Sequence, residues 1–209
     1  MGVRLWSPLV IEETRRVTQV AALRNVSFAR SSGVRLSLRP PIVNLQICDL
    51  TPEDRPSLLQ LLRDVAIFEL HEIRVAEELI AETLGGSRDY LIHVAREAGA
   101  SPTSPGRGQV VGYICHGHNP VTDAMYDLYW IAVDPRVQGR GIGGRLIAYA
   151  EERARALNGR GMVIETSNRP AYAAARRLYE RCGYRMTAEI ADFYKPGEAR
   201  VFYFKLFAP

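Results

Sequence analysis

The 209-residue sequence predicts one α/β domain, a mixed and mainly antiparallel sheet flanked by helices. Three observations carry that prediction. Strand-like runs at 89–96, 109–116 and 126–133 follow one another with only turn-rich stretches between them, the order of an antiparallel meander. A glycine-rich segment, Asp134-Pro135-Arg136-Val137-Gln138-Gly139-Arg140-Gly141-Ile142-Gly143-Gly144, leads from the third run into an amphipathic helix. From there helical and strand-like periods alternate, and the chain is long enough for one substantial core.

In chain order, residues 42–47 read as the first strand. Thr51 is an N-cap, Pro52 takes the first helical position, and Glu53 and Asp54 place early negative charge before a leucine-rich helix over 57–65. A second helix is expected over 74–84, stopped by Gly85 and Gly86. The Gly/Ser/Pro-rich stretch 99–108 reads as a hairpin loop, and Asn119-Pro120 turns the chain into 126–133.

After the glycine-rich segment, Leu146, Ile147, Ala150, Ala154 and Leu157 mark a buried helical face, with Glu151 and Arg155 as an exposed i,i+4 pair and Gly159 as the stop. A short strand over 161–166 follows. Pro170 opens another helix on which Tyr172, Ala175, Leu178, Tyr179 and Cys182 share a face, ended by Gly183. Strands over 184–190 and 200–207 close the sheet around a turn at 192–197.

Glycines that follow a strand and open a helix let several backbone amides approach an anion, and the helix adds the positive end of its dipole. The segment therefore reads as a cradle for a phosphate chain, into which a side chain at Gly141 or Gly143 is expected to intrude. Gly139, Gly141 and Gly144 also spell the G-x-G-x-x-G of dinucleotide-binding folds, with Glu165 ending a later strand where a ribose-binding acid belongs. That fingerprint needs its first glycine almost at the strand end, whereas Asp134 to Gln138 intervene here after Val133, so the spacing argues against a nicotinamide dinucleotide.

Read as Gln138-Gly139-Arg140-Gly141-Ile142-Gly143, the segment is similar to the Gln/Arg-x-x-Gly-x-Gly/Ala loop of the GCN5-related N-acetyltransferases (GNAT). The strand Tyr126-Asp127-Leu128-Tyr129-Trp130-Ile131-Ala132-Val133 resembles that family's fourth strand. Ala175-Arg176-Arg177-Leu178-Tyr179-Glu180-Arg181-Cys182-Gly183-Tyr184 resembles its A-x-x-L-Y-x-x-x-G-[FY] helix end. The resemblance covers about 42–207 and implies the acyl-CoA N-acyltransferase fold, with acetyl-CoA as cosubstrate and no metal. It implies direct attack by a primary amine in a ternary complex. The acceptor would be a small amine or amino-acid derivative, or alternatively a peptide N-terminus. A non-catalytic acyl-CoA-binding sensor or partner module is the reading from another class.

The resemblance also implies roles for residues. Gln138, Gly139, Arg140, Gly141, Ile142, Gly143 and Gly144 would hold the pyrophosphate, and backbone groups of Ile131, Ala132 and Val133 would bond the pantetheine arm where two strands splay apart. Tyr179 matches the tyrosine that protonates the leaving thiolate. Asp127, eleven positions before Gln138, and Glu165, at the end of the next long strand, are the two candidates for the base. Strand alternation places Asp127 on one face with Tyr129, Ile131 and Val133. The family's N-x-x-A-x-x-L-Y would have asparagine where this chain has Tyr172; Asn168, about one turn earlier, either reaches the pantetheine or caps the helix with Ser167. Trp130, Tyr126, Phe193, Tyr194 and His71 are candidates to line the acceptor pocket.

Charge and composition narrow the partners. The net charge is +4, but 23 acidic residues are interspersed and no arginine stripe with aromatics stands out, so no nucleic-acid partner is expected. Arg136, Arg140 and Arg145 have a simpler use beside an anionic cofactor. Three widely separated cysteines, Cys48, Cys115 and Cys182, argue against a disulfide framework and for a cytoplasmic protein, and Cys115 and Cys182 are expected in the core. No metal site is expected of Cys115-His116-Gly117-His118, which has no partner pair of ligands. No apolar run reaches membrane-spanning length, and a homodimer is compatible with the sequence. Residues 1–40, with seven arginines and a poor helical pattern, read as an N-terminal appendage to a domain spanning 41–209.

Overall fold

The computed structural model describes residues 44–98 and 108–208. The appendage expected at 1–40 and most of the expected 99–108 loop lie outside them. The first strand, β1 (Leu45–Asp49), starts later than expected and leads through a one-turn 3₁₀ helix (Pro52–Asp54) into α1 (Arg55–Asp64). Thr51 and Asp54 form the capping box there, with Thr51 N donating to Asp54 Oδ2 at 2.9 Å.

The second helix, α2 (Leu70–Leu84), begins four residues before the expected start at 74. Glu69 and Glu72 cap it reciprocally. Glutamate is an uncommon N-cap, so the local signal was easy to pass over.

Strands β2 (Leu91–Glu97), β3 (Gln109–His118) and β4 (Met125–Val133) form the meander, followed by α3 (Ile142–Ala156) and β5 (Gly161–Ser167). Pro170 opens a 3₁₀ turn rather than the helix itself, and α4 runs over Ala173–Arg181. The closing strands are longer than expected, β6 at Arg185–Lys195 and β7 at Glu198–Leu206, with only Pro196 and Gly197 between them.

The seven strands are ordered β1-β2-β3-β4-β5-β7-β6, and every neighbouring pair is antiparallel except β4 with β5. The sheet is thus mixed and mainly antiparallel, as the sequence predicts. On one face Leu58 and Leu62 of α1, Val65 just past its end, and Leu79 and Ile80 of α2 pack on Ile92, Val94, Tyr113, Cys115 and Trp130. On the other face Leu146, Ile147 and Ala150 of α3 and Leu178 and Tyr179 of α4 pack on Ile114, Leu128, Ile131, Met162, Ile164 and Tyr203.

Two expectations for α3 are corrected by long-range contacts. Glu151 is buried, because Lys205 on β7 reaches both its carboxylate oxygens at 2.7 and 2.8 Å; its 3.2 Å contact with Arg155 is secondary. Leu157 is exposed, since the helix ends at Ala156 and the chain turns away. Cys115 is buried as expected, whereas Cys182 is only partly so.

Away from the helix N-terminus of α3, three strands place a polar chain against its far end. His93 Nδ1 lies 2.8 Å from Asp49 Oδ1, and His93 Nε2 lies 3.1 Å from His116 Nε2. Burial lowers the pKa of both imidazoles, that of His116 to about 3, with the like charge of its neighbour acting in the same direction. Strand alternation sends Cys115 to the opposite core, and among the described residues no three His, Cys, Asp or Glu side chains gather as a metal site.

Candidate active site

The glycine-rich segment delivers free amides to one place. Asp134 accepts from Arg136 N at 2.8 Å and is gripped by the Arg136 guanidinium, which fixes a 3₁₀ turn over Pro135–Val137. Gln138 Nε2 donates to Val133 O at 3.0 Å, tying the loop to the end of β4. Gly141 is the N-cap of α3 at φ 83°, a left-handed backbone that costs glycine little. The helix's first bond runs from Arg145 N to Gly141 O, so the amides of Ile142, Gly143 and Gly144 have no helical acceptor. Together with the dipole of a 15-residue helix, they fit an anionic phosphate.

Two details differ from the sequence reading. A Cβ on Gly143 would stand 2.8 Å from Leu178 Cδ2, so this glycine lets α4 approach α3, and a side chain there meets α4 before any anion. The three arginines do not converge on the amides. Arg136 is held by Asp134, Arg140 Nη1 lies 3.5 Å from Glu97, and Arg145 Nη2 donates to Leu45 O at 2.7 Å.

Next to this cradle the sheet splits. Parallel pairing of β4 with β5 runs from Met125↔Gly161 to Leu128↔Ile164 and stops, after which β4 stays with β3 and β5 stays with β7. Backbone of Ile131, Ala132 and Val133 on the β5 side is thereby left outside the ladder, the splay expected for them. A bulge sharpens the split: Cys115 pairs with Trp130 and His116 with Leu128, which makes Tyr129 the extra residue. The bulge corrects the expected alternation. Leu128, Ile131 and Val133 belong to the core under α3 and α4, whereas Tyr129, Trp130 and Ala132 pack with the core under α1 and α2.

Three buried polar atoms without a protein partner lie on elements bordering the split: Trp130 Nε1 on β4, Thr166 Oγ1 on β5 and Tyr179 Oη on α4. Tyr179 is fully buried, and burial, then the neighbouring Tyr172 and Tyr203, push its phenol well above the ordinary range. Its hydroxyl therefore keeps its proton. An orphaned donor at this depth fits a group that brings an acceptor atom with it.

The two expected base candidates are each already engaged. Asp127 pairs across the ladder with Gly117 and Val163, on the closed side of the split, and its Oδ2 accepts from Asn119 Nδ2 at 2.9 Å. Glu165 is ion-paired with Arg200, which stands over the rings of Phe193 and Phe202 at 4.6 and 5.2 Å. Asn168 extends the β5–β7 pairing: its Oδ1 accepts from Ala199 N at 3.0 Å and its N donates to Ala199 O at 3.1 Å. Neither residue caps the following turn, whose N-cap is Arg169 with no side-chain cap; Ser167 Oγ accepts from Arg169 N at 3.0 Å. Of the aromatic candidates, Trp130 and Tyr126 are core residues, His71 is largely exposed, and Phe193 and Tyr194 lie on edge strand β6, Phe193 under the Arg200 guanidinium.

Sequence reasoning missed Arg200, Glu198 and Glu72. Glu198 is buried, accepts from Ser167 Oγ at 2.8 Å, and faces Arg169 at 3.9 Å and Lys195 at 3.5 Å. Arg200 and Glu198 belong to no motif, so nothing local announced them. Glu72 is 3% exposed; its Oε2 accepts from Glu69 N at 2.7 Å, and its Oε1 has no partner. A glutamate three residues after an N-cap, ahead of an apolar helical period, was a readable signal for the cap though not for the site.

Comparison with known proteins gives concordant matches. The family profile described as Acetyltransferase (GNAT) domain matches residues 88–186. The blasticidin-S acetyltransferase of Streptomyces morookaense is 41% identical over 92 residues, 44% of this chain and 62% of that protein, so the match spans less than two thirds of that relative. A crystal structure from Desulfovibrio desulfuricans, assigned to the GNAT family of acetyltransferases, is 32% identical with a TM-score of 0.71 over 78% of this chain and 99% of that one. A Bacillus anthracis protein described as a streptothricin acetyltransferase, solved with acetyl coenzyme A, is 25% identical with a TM-score of 0.50 over 59% of this chain and 66% of that one.

Proposed function

We propose, from the premise that this chain belongs to the GCN5-related N-acetyltransferase family, that it transfers the acetyl group of acetyl-CoA to a primary amine of a small molecule. The single observation that carries the reading is the split between β4 and β5, bordered by the orphaned Tyr179 hydroxyl and flanked by the free amides of the α3 N-terminus. The amides of Gly139, Gly141, Ile142, Gly143 and Gly144 hold the pyrophosphate. Backbone of Ile131, Ala132 and Val133 holds the pantetheine arm. Gln138 and Arg140 shape the loop from outside through Val133 O and Glu97.

Bound acetyl-CoA supplies an activated acyl group and a thiolate leaving group. The residues of this chain orient it and supply a proton. Tyr179 keeps its proton because burial disfavours the phenolate, and it donates where the thiolate forms. Asp127 and Glu165 suit the base's role less well than expected, since a carboxylate already bonded to Asn119 or Arg200 has less call on an ammonium proton. A small-molecule acceptor is favoured by the relative acting on blasticidin S, which makes that compound the first acceptor to try.

The test is thiol release from acetyl-CoA, followed across an amine panel that includes blasticidin S, beside thermal unfolding with and without acetyl-CoA. Stabilisation by acetyl-CoA together with amine-dependent thiol release is expected. Stabilisation without release for any amine would favour an acyl-CoA-binding module. A larger stabilisation by NAD than by acetyl-CoA would overturn the choice of cofactor.

A further inference from the structure

Glu72 stands apart from the other acids of the acceptor side. Glu165 is paired with Arg200, and Glu198 faces Arg169 and Lys195. Glu72 makes no ion pair among the described residues, although it is 3% exposed. An unpaired carboxylate at that depth is costly unless a cation or a proton arrives, and nothing in the helix cap requires a second oxygen. Only Oε2 serves the cap; Oε1 is left over.

Its electrostatic neighbours come from the turn before α4 and from β6. The charge of Glu72 is felt by Tyr172, in the turn before α4, and by Tyr194 on β6. Tyr172 in turn adjoins Tyr179. The guanidinium of Arg169, whose charge acts on Glu72, stands 5.5 Å from the centre of the Tyr172 ring, so the α2 carboxylate and the turn before α4 share one polar environment. The charged and titratable groups facing it are Glu69 and His71 at its own helix end, Arg169 and Tyr172 from the turn before α4, and Tyr194 from β6.

We propose that Glu72 is the catalytic base, the carboxylate that receives the acceptor's ammonium on Oε1 and takes its proton. This rests on the acetyltransferase reading. The acceptor reaches Oε1 by displacing Tyr194, which sits at the tip of the exposed β6–β7 hairpin. Its ammonium gives one proton to Glu72, the neutral nitrogen forms the bond to the thioester carbonyl carbon, and the carbon–sulfur bond breaks. Tyr179 protonates the departing thiolate, and the second nitrogen proton restores Tyr179 through the site, while Glu72 releases its own proton to solvent. Burial raises the pKa of Glu72 above the usual carboxylate range, outweighing the cap bond from Glu69 N, and a base closer to neutrality is better matched to an ammonium.

The experiment compares Glu72→Gln and Glu72→Asp with the parent, using blasticidin S or the best acceptor of the amine panel. Glutamine keeps a carbonyl for the cap and loses the charge; aspartate keeps both, as Asp54 does in the first capping box, but withdraws from the split. Both variants are expected to keep the melting temperature and the acetyl-CoA shift. Glu72→Gln should lose about 10²-fold or more in kcat/KM near pH 7, recovering as pH rises and free amine accumulates. Glu72→Asp should lose less and keep the parent's pH profile, and it carries the test alone if Glu72→Gln does not fold. Parental kcat/KM in either variant, or a Glu72→Gln loss that is the same at every pH, would overturn the assignment. Absence of any acetyl-CoA shift in the parent would instead overturn the reading on which it rests.

Discussion

The two halves of the sheet are built to different standards of burial. From β1 to β4 the sheet is covered on both faces, by α1 and α2 on one side and α3 on the other, and β3 is buried at every position but its two ends. From β5 through β7 to β6 only the α4 face is covered by the described residues. Every residue of β6 except Tyr194 is exposed, and Val163, Thr187, Ala188, Phe202 and Phe204 line an open apolar groove on the bare face. The polar groups of the two halves differ as well. The covered half holds the chain Asp49–His93–His116, which joins an exposed carboxylate to two buried imidazoles and leaves His116 Nδ1 without a partner. The open half and its border with the covered one hold the orphaned Tyr179 hydroxyl, the free oxygen of Glu72 and the Glu165–Arg200 pair. The difference teaches that the glycine-rich entry to α3 is anchored in the doubly covered half, whereas β6 and β7 keep a free face.

The largest expected effect tests that division by stability. Leu128→Ala, at a fully buried position of the covered half, should cost about 2–5 kcal/mol in denaturant unfolding, whereas Ile190→Ala on β6 should stay within about 0.5 kcal/mol. Equal costs would show that the bare half is covered in solution. Next, Tyr179→Phe should keep the acetyl-CoA thermal shift and lower turnover by about 10²-fold, measured with an acceptor whose chemistry limits the rate. Full turnover would leave catalysis to positioning of an already neutral amine.

At the cradle, Gly141→Glu should abolish the acetyl-CoA shift, since it strains a left-handed N-cap and adds a carboxylate beside the free amides. Retention of the shift would move the pyrophosphate elsewhere. A smaller effect reads the buried histidines through pH. The folded pKa of His116 is about 3 against 6.5 for an ordinary imidazole, so below about pH 6.5 the unfolded chain binds a proton that the native chain does not. Stability is therefore full above that pH and falls as pH drops towards 3, by up to about 1.4 kcal/mol per pH unit. His116→Gln should flatten the slope by up to one proton in melts between about pH 7 and 4; an unchanged slope would locate the acid sensitivity in other groups. Smallest of all, removal of residues 1–38 should leave cooperative unfolding and acetyl-CoA affinity nearly intact, and loss of either would tie that segment to the domain.

Much of the fold was legible because it rests on local pattern. The strand runs of β2 to β4, the glycine-rich entry to α3 and the apolar face of α4 each carry their own period. The start of α2 was misplaced because its cap is a glutamate pair. The face of Asp127 was misjudged because a bulge at Tyr129 breaks the period of two on which the inference depended. Glu151 looked exposed from its i,i+4 partner, yet its stronger partner, Lys205, lies 54 residues away.

By itself the sequence determined the glycine-rich entry to α3, the mixed sheet and the family. These follow from short-range geometry, in which glycine, proline and apolar spacing restrict the backbone within a few residues. Only the tertiary structure decided which acids are paired and which is left over. Glu165 finds Arg200, Glu198 finds Ser167 and Arg169, and Glu72, buried like Glu198, makes no ion pair among the described residues. The reason is physical: the state of a buried charge is set by desolvation and by partners brought from distant strands, neither of which has a period in the chain.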